Sequence, residues 1–449
     1  MLLWLIVLSL LRGAAYLLIT PPWQAPDETT HFQFMELLTQ RPLAEIRKID
    51  VMILNDQKYL ELEGRILQSM KKYKAWEYVG MPVPDPFPPF FYKAPFFSGS
   101  APKIYRPPLY YLLGAAVLKL FNPKELETRF YIARVYSFIL SLGTIIVSCL
   151  IGYLLFKDET YALMTGTFVS FLPQFMVIGT SVNSDNLFNF LASLFLLYGV
   201  FLLSERKSDL YLIPIPLLLP LLFLSGKASV VIAPISIFLF AFHIRRSKKF
   251  LLILALSLLI LVSLAIFVHY LLPGMTSAAQ STLKWVWGSI SSGIERGSDF
   301  YEFFSVVLFK SFWFVGGWMQ IYWNTWFYIG SAIVCFFSSL GLLIILWDRI
   351  MKKGEISSPT NPVLLLLMFA ALLAFGATFL FYGFVQGVLA QGRYLFSALP
   401  AFAVLFIFGL KRVCPRWIDP YFPRVFILFM ALLDVYALFG SLLPYYHFR

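Results

Sequence analysis

Long apolar runs without a charge, one after another, leave this chain very few ways to fold. From Phe250 to Leu272 and from Pro362 to Tyr382 there is no Asp, Glu, Lys or Arg, and similar runs recur along all 449 residues. In a bilayer every backbone N–H and C=O must be satisfied internally, so such a run crosses as a helix. The weak ten-residue alternation of a membrane β-barrel is absent. With 59% hydrophobic and 13% charged residues and a mean hydropathy of +0.76, neither a soluble globule nor a disordered chain fits. The fold class is therefore all-α, a polytopic membrane protein.

The net charge of +12 does not point to nucleic acid. Lys and Arg gather in short loops between apolar runs: Glu205-Arg206-Lys207, Arg245-Arg246-Ser247-Lys248-Lys249, Asp348-Arg349 with Lys352-Lys353, and Lys411-Arg412 with Arg416. Read as positive-inside markers, they all fall on the cytoplasmic side. Cys149, Cys335 and Cys414 lie in or beside apolar segments without metal-binding spacing, so neither a disulfide framework nor a zinc site follows. Gly13-Ala14-Ala15 resembles a leader cleavage site, but the positive amino-terminal region is missing and the segment stays apolar beyond it. It is taken as the first span.

Spans are expected near 2–20, 134–156, 161–180, 187–204, 210–224, 228–243, 250–272, 323–347, 362–382, 394–410 and 424–443, about eleven in all at roughly twenty residues each. Pro214, Pro216 and Pro220 kink or shorten one of them. Two long segments, 21–133 and 273–322, lie on the side opposite the basic loops. Within the first, Ile46, Ile49, Ile53, Leu60, Leu62 and Ile66 at loosely helical spacing suit an amphipathic helix over the membrane mouth. A Pro- and aromatic-rich run from Met81 to Pro108 reads as an extended lid. Residues 107–121 are short for a span and read as an interfacial or re-entrant helix.

The residues with chemical potential sit on that same side. Pro26-Asp27-Glu28-Thr29-Thr30-His31 follows the first apolar run directly, with His31 four residues after Asp27 and so on the same helical face. Carboxylates so near lipid are costly unless they serve something, although the same residues also describe an ordinary helix start. A helix amino terminus keeps Asp27 ionised and weakly basic. Glycosyl transfer from a phosphate leaving group suits such a base: its transition state is oxocarbenium-like, and the acceptor's proton leaves late. Asp27 and Glu28 are accordingly the expected catalytic pair.

A cation is then needed for the phosphate. Arg106, directly before Pro107-Pro108, and Arg393, before Tyr394, stand at expected boundaries where a guanidinium can grip phosphate or merely anchor a helix. Lys227 and Lys310 are further phosphate candidates. Asp185 in Ser181-Val182-Asn183-Ser184-Asp185-Asn186 is either a turn former or a sugar ligand. It also leaves open a divalent cation shared with Asp27 or Glu28, though no spacing demands a metal. Arg12 and Asp434 fall inside spans, where ionisable groups usually pair or face the bundle interior.

Pro26-Asp27-Glu28 with His31, Arg106-Pro107-Pro108-Leu109-Tyr110-Tyr111, Arg134, Ser181-Val182-Asn183-Ser184-Asp185 and Gly392-Arg393-Tyr394-Leu395-Phe396 with Pro400 occur in that order. Together they resemble the GT-C superfamily of polytopic glycosyltransferases, which includes the protein O-mannosyltransferases and aminoarabinose transferases. They are closest in flavour to the bacterial membrane family DUF2142. The resemblance implies Asp27 as general base and Arg106 near the donor phosphate, and it matches the late Arg-Tyr to Arg393-Tyr394; with His31, Tyr110 and Asp185 these are the expected substrate-binding residues. It also implies a polyprenyl-phosphate-linked sugar as donor, an extracytoplasmic acceptor, and a place in the bacterial plasma membrane. Residues 1–243 would form the catalytic transmembrane module and 244–449 a variable one carrying the late Arg-Tyr motif. The chain lacks the large soluble carboxy-terminal domain of some GT-C enzymes. A flippase or transporter for lipid-linked sugars is the rival reading from another class, although no internal repeat is visible. A surface-polysaccharide ligase or polymerase is the rival among enzymes.

Overall fold

The computed structural model describes residues 2–49, 56–83, 103–204, 214–226, 234–239, 297–351, 360–386 and 391–448. Nearly all regular structure is helical, as the backbone argument requires. The chain rises through Leu2–Ile19 (α1) and turns at Thr20–Pro26 into Glu28–Gln40 (α2). Gln57–Lys72 (α3), Leu109–Phe121 (α4) and Leu126–Phe156 (α5) follow. At 31 residues α5 is about 46 Å long, more than the roughly 30 Å of a hydrocarbon core.

Glu159–Ser170 (α6) and Pro173–Gly179 (α7) occupy the expected 161–180 span but meet at a 63° bend. Pro173 cannot donate a backbone N–H, and it opens the second piece. The break leaves the Ser170 carbonyl needing a donor within the bundle. Arg12 of α1 supplies it, Nη1 to Ser170 O at 2.9 Å, and the same guanidinium pairs with Asp434, Nε to Oδ2 at 2.6 Å. Tyr16 donates to the other Asp434 oxygen at 2.9 Å. The two ionisable groups noticed inside spans thus neutralise one another and cap a broken helix.

Asp185–Ser204 (α8) and Pro214–Ser225 (α9) come next, with Pro220 inside the latter. The second long segment contains Ser298–Trp313 (α10) and a two-residue antiparallel hairpin pairing Val315 with Tyr322. Thr325–Met351 (α11), Thr360–Thr378 (α12), Leu399–Val413 (α13) and Phe422–Val435 (α14) complete the bundle. Helices α11 and α13 cross at Gly341 and Gly409: a Cβ on Gly341 would meet the Gly409 carbonyl, and one on Gly409 would meet that of Ser338. Ser338 Oγ also donates to Phe406 O at 3.0 Å across the crossing. Close approach of small residues is how helices associate where lipid removes the hydrophobic drive.

Among the described residues seven helical stretches are long and apolar enough to cross a membrane, or eight with the bent pair. The expected spans near 2–20, 134–156, 187–204, 323–347, 362–382, 394–410 and 424–443 each coincide with one, and that at 134–156 begins eight residues earlier. Most of 228–243 and all of 250–272 lie outside the described residues, as does most of the expected lid. The expected amphipathic segment is a one-turn helix, Leu43–Ile46, followed by α3. Its Ile46, Ile49, Leu62 and Ile66 are buried within the protein. Residues 109–121 form the expected short apolar helix. Lys411 and Arg412 pair with Asp419 and Asp348 at the far end of α13 from Arg393, whereas the basic runs at 205–207, 245–249 and 352–353 lie outside the described residues.

Candidate active site

The turn from α1 to α2 is held by one buried ion pair. Glu28 has no exposed surface, and both its oxygens receive Arg134 of α5, Nε and Nη2 each at 2.8 Å. Its Oε1 also accepts the Val182 N–H at 3.0 Å. Arg134 spends its remaining donors on the carbonyls of Thr20 and Pro21, at 2.7 and 3.0 Å. Five bonds thereby tie the end of α1, the start of α2, α5 and the 181–186 turn together.

That clamp fixes the residue before it. Asp27 sits at the amino-terminal cap of α2, where an Asp normally accepts from the first-turn N–H groups, but its side chain makes no such bond. With φ at +63° its backbone is left-handed, a conformation Asp tolerates better than most residues. The side chain engages two cations instead. Oδ1 lies 3.4 Å from Lys103 Nζ, and Oδ2 accepts from Arg393 Nη2 at 3.1 Å. Each cation has its own support. Lys103 opens a 3-10 turn, Lys103–Tyr105, steadied by Arg47 Nη2 on the Arg106 carbonyl at 2.8 Å. Arg393 stands in the 3-10 turn Gly392–Ala398, pinned where the Gly392 N–H meets Ser311 Oγ at 2.8 Å. Glycine is required there, since a Cβ on Gly392 would strike the α10 backbone at Phe312.

Arg393 is only 4% exposed, yet among the described residues its Nε and Nη1 have no hydrogen-bond partner. The Asp185 carboxylate, at the first residue of α8, reaches no nearer than 3.9 Å to Nε. A buried guanidinium with two unmet donors has hydrogen-bonding capacity to spare for the oxygens of an anion.

The charges here are strongly coupled. Burial pushes the Asp27 carboxyl up, but Lys103, Arg393 and His31 together outweigh it and hold it well below the usual carboxylate range. Burial pulls His31 down, reinforced by Lys103, so it remains neutral well below its ordinary value even though Asp27 opposes the shift. Burial likewise lowers Lys103, against the pull of Asp27. The neutral His31 stacks on Tyr111 and bonds to it, Nδ1 to the hydroxyl at 2.8 Å.

Of the residues expected from sequence, Asp27, Arg393 and Asp185 are brought together, with His31 beside them. Glu28 is adjacent in sequence but faces away into the Arg134 clamp. Tyr110 also points elsewhere: it is wholly buried and its hydroxyl meets Ser137 Oγ at 2.6 Å, leaving Tyr111 to contact His31. Arg106 is close enough to influence His31 but forms no ion pair among the described residues. Tyr394 stacks flat on Tyr382, ring centroids 4.0 Å apart, with the Arg393 guanidinium 5.3 Å from its own ring. Lys310 lies against the rings of Tyr322 and Tyr328, and Lys227 falls outside the described residues. Sequence reasoning missed Lys103. Its signal was present, three residues before Arg106 and hence on one side of a single 3-10 turn. It was unremarkable until Asp27 appeared opposite.

The carboxylates do not suit the divalent cation that the sequence left open. Both Asp27 oxygens face cations, both Glu28 oxygens face Arg134, and no three metal-ligating side chains gather among the described residues.

No family model and no curated protein matches the chain. Among solved structures it is similar to the oligosaccharyltransferase of Archaeoglobus fulgidus. In the apo form the identity is 14%, over 98% of this chain and 55% of that one, with a TM-score of 0.45. With a tethered acceptor peptide containing the NVT sequon it is 15%, over 75% and 46%, at 0.40. For the archaeal oligosaccharyltransferase AglB in complex with an inhibitory peptide and a dolichol-phosphate it is 15%, over 75% and 47%, at 0.39. The chain spans about half the length of these structures.

Proposed function

We propose that the chain is a membrane glycosyltransferase that moves a sugar from a polyprenyl-phosphate-linked donor to an extracytoplasmic acceptor. The observation that carries this reading is the buried Arg393 guanidinium with two unmet donors, sharing the Asp27 carboxylate with Lys103. An anion site that shares its cations with an ionised carboxylate suits the loss of a phosphate group next to a proton acceptor. The ordered motifs that resemble GT-C enzymes support the same reading.

In this scheme the donor phosphate takes the free Nη1 of Arg393, whose Nη2 holds Asp27, and draws on Lys103. The bond from the sugar's anomeric carbon to phosphate oxygen breaks, its electron pair leaving with the phosphate. The acceptor hydroxyl forms the new bond, and its proton passes to Asp27 late in the step. Without donor, Asp27 is too well paired to be a useful base. An incoming phosphate shares those cations and repels the carboxylate, so its proton affinity rises when it is needed. Glu28 acts as a positioning residue through the Arg134 clamp, and His31 with Tyr111 forms the wall of the site.

The test uses full-length protein in lipid nanodiscs supplied with lipid-linked sugars extracted from the source membrane, following release of free polyprenyl phosphate. Asp27→Asn is expected to lower turnover by about 10²–10⁴-fold while the protein stays folded. Arg393→Lys is expected to raise KM for the lipid-linked donor by about 10–100-fold, the worth of one or two charge-assisted hydrogen bonds. Full turnover by Asp27→Asn overturns the assignment. Movement of the intact donor across the bilayer without cleavage overturns the enzyme reading in favour of a transporter.

A further inference from the structure

A second polar cavity lies away from Asp27, at the opposite ends of α2 and α4. It is an open cleft of about 300 Å³ lined by Glu36, Arg65, Lys119, Asn122, Lys124 and Arg129, among others. Glu36 is already neutralised: Arg129 donates to it at 2.8 Å and turns its other donors to the Pro123 carbonyl and Thr39. Arg65, Lys119 and Lys124 form no ion pair among the described residues, so the cleft carries three uncompensated positive charges. Such a concentration creates an anion-attracting field.

The surface beside it is the opposite of polar. Helix α4 leaves Leu112, Leu113, Leu120 and Phe121 exposed, the last two at 80% and 66%. Leu113, Ala116 and Leu120, at steps of three and four residues, form an exposed stripe on one face, and Leu112 and Lys119 share the face beside it, where Lys119 enters the cleft. Contiguous apolar surface rimmed by cations matches an amphiphile with a negative head.

We propose that this cleft binds the phosphate headgroup of an anionic phospholipid, with α4 lying in the lipid interface and an acyl chain running along its exposed face. The occupant is a membrane lipid rather than free phosphate because the apolar stripe has no role for an inorganic ion. The site is separate from the one containing Asp27 and does not depend on the reading of that site. From Tyr111, which touches His31, to Lys119 is eight residues, or about 12 Å along α4.

Binding is measured on the full-length protein in detergent with phosphatidylglycerol, phosphatidylcholine or inorganic phosphate, by native mass spectrometry and by the shift in unfolding temperature. Phosphatidylglycerol is expected to remain bound and to raise the unfolding temperature, and phosphatidylcholine is not. The double variant Lys119→Gln/Lys124→Gln changes exposed side chains and is expected to keep its fold while losing about 30-fold in phosphatidylglycerol affinity. Equal retention of the two lipids, or undiminished binding by the double variant, overturns the proposal. Displacement of the lipid by millimolar inorganic phosphate overturns it in favour of a free-phosphate site. Each readout is independent of transferase activity, so failure here leaves the role of Asp27 untouched.

Discussion

The Glu28 clamp yields the sharpest quantitative expectation. Glu28→Ala removes the acceptors of Arg134 Nε and Nη2 and orphans the Val182 N–H, leaving the guanidinium with the Thr20 and Pro21 carbonyls alone. Breaking a buried ion pair by deleting one partner costs about 3–5 kcal/mol, because the other charge stays desolvated. An unsatisfied buried N–H adds about 1–3 kcal/mol. The side chains of Glu28 and Arg134 are 0% and 1% exposed, so water can repair little of this without the turn opening. The single variant should therefore lose about 4–8 kcal/mol. Glu28→Ala/Arg134→Met leaves no unpaired charge and should be less destabilised than the sum of the singles by about 2–3 kcal/mol. Denaturant unfolding in micelles, followed by tryptophan fluorescence, reads this directly. Trp23 is wholly buried and packs on Phe130, 4.1 Å between ring centroids, beside the clamp. Additive variants, or a Glu28→Ala protein within about 0.5 kcal/mol of wild type, would refute the claim that this carboxylate is structural.

Two further outcomes follow from geometry and charge. Gly341→Leu forces a branched side chain against the Gly409 carbonyl and should destabilise the α11–α13 crossing by at least about 1–3 kcal/mol, whereas unchanged thermal unfolding would show that the helices do not meet there. Folded His31 stays neutral well below the roughly 6.5 of an unfolded histidine, so only the unfolded chain takes up its proton as pH falls from there. Stability should decline below pH about 6.5 by about 1.4 kcal/mol per unit on account of this group, and His31→Gln should remove that share. Identical acid dependence of the two proteins from pH 7 to 5 would contradict a buried neutral imidazole.

The apolar runs alone determined the all-helical membrane architecture and the approximate position of most spans, because a bilayer offers the backbone no other way to satisfy itself. What they could not show was direction. Asp27 and Glu28 are neighbours with the same chemistry, and nothing in their order says that Glu28 turns inward to Arg134 while a left-handed backbone sends Asp27 out to two cations. Tyr110 and Tyr111 divide in the same way, one hydroxyl into the bundle and one to His31. Lys103, Asp27, Asp185 and Arg393 meet across more than three hundred residues of chain. A constellation assembled over that separation depends on packing, and local sequence holds no record of it. Arg12 and Asp434 make the same point from within the membrane. Sequence marked both as costly, and only the tertiary structure revealed that each neutralises the other and that Arg12 also completes a broken helix.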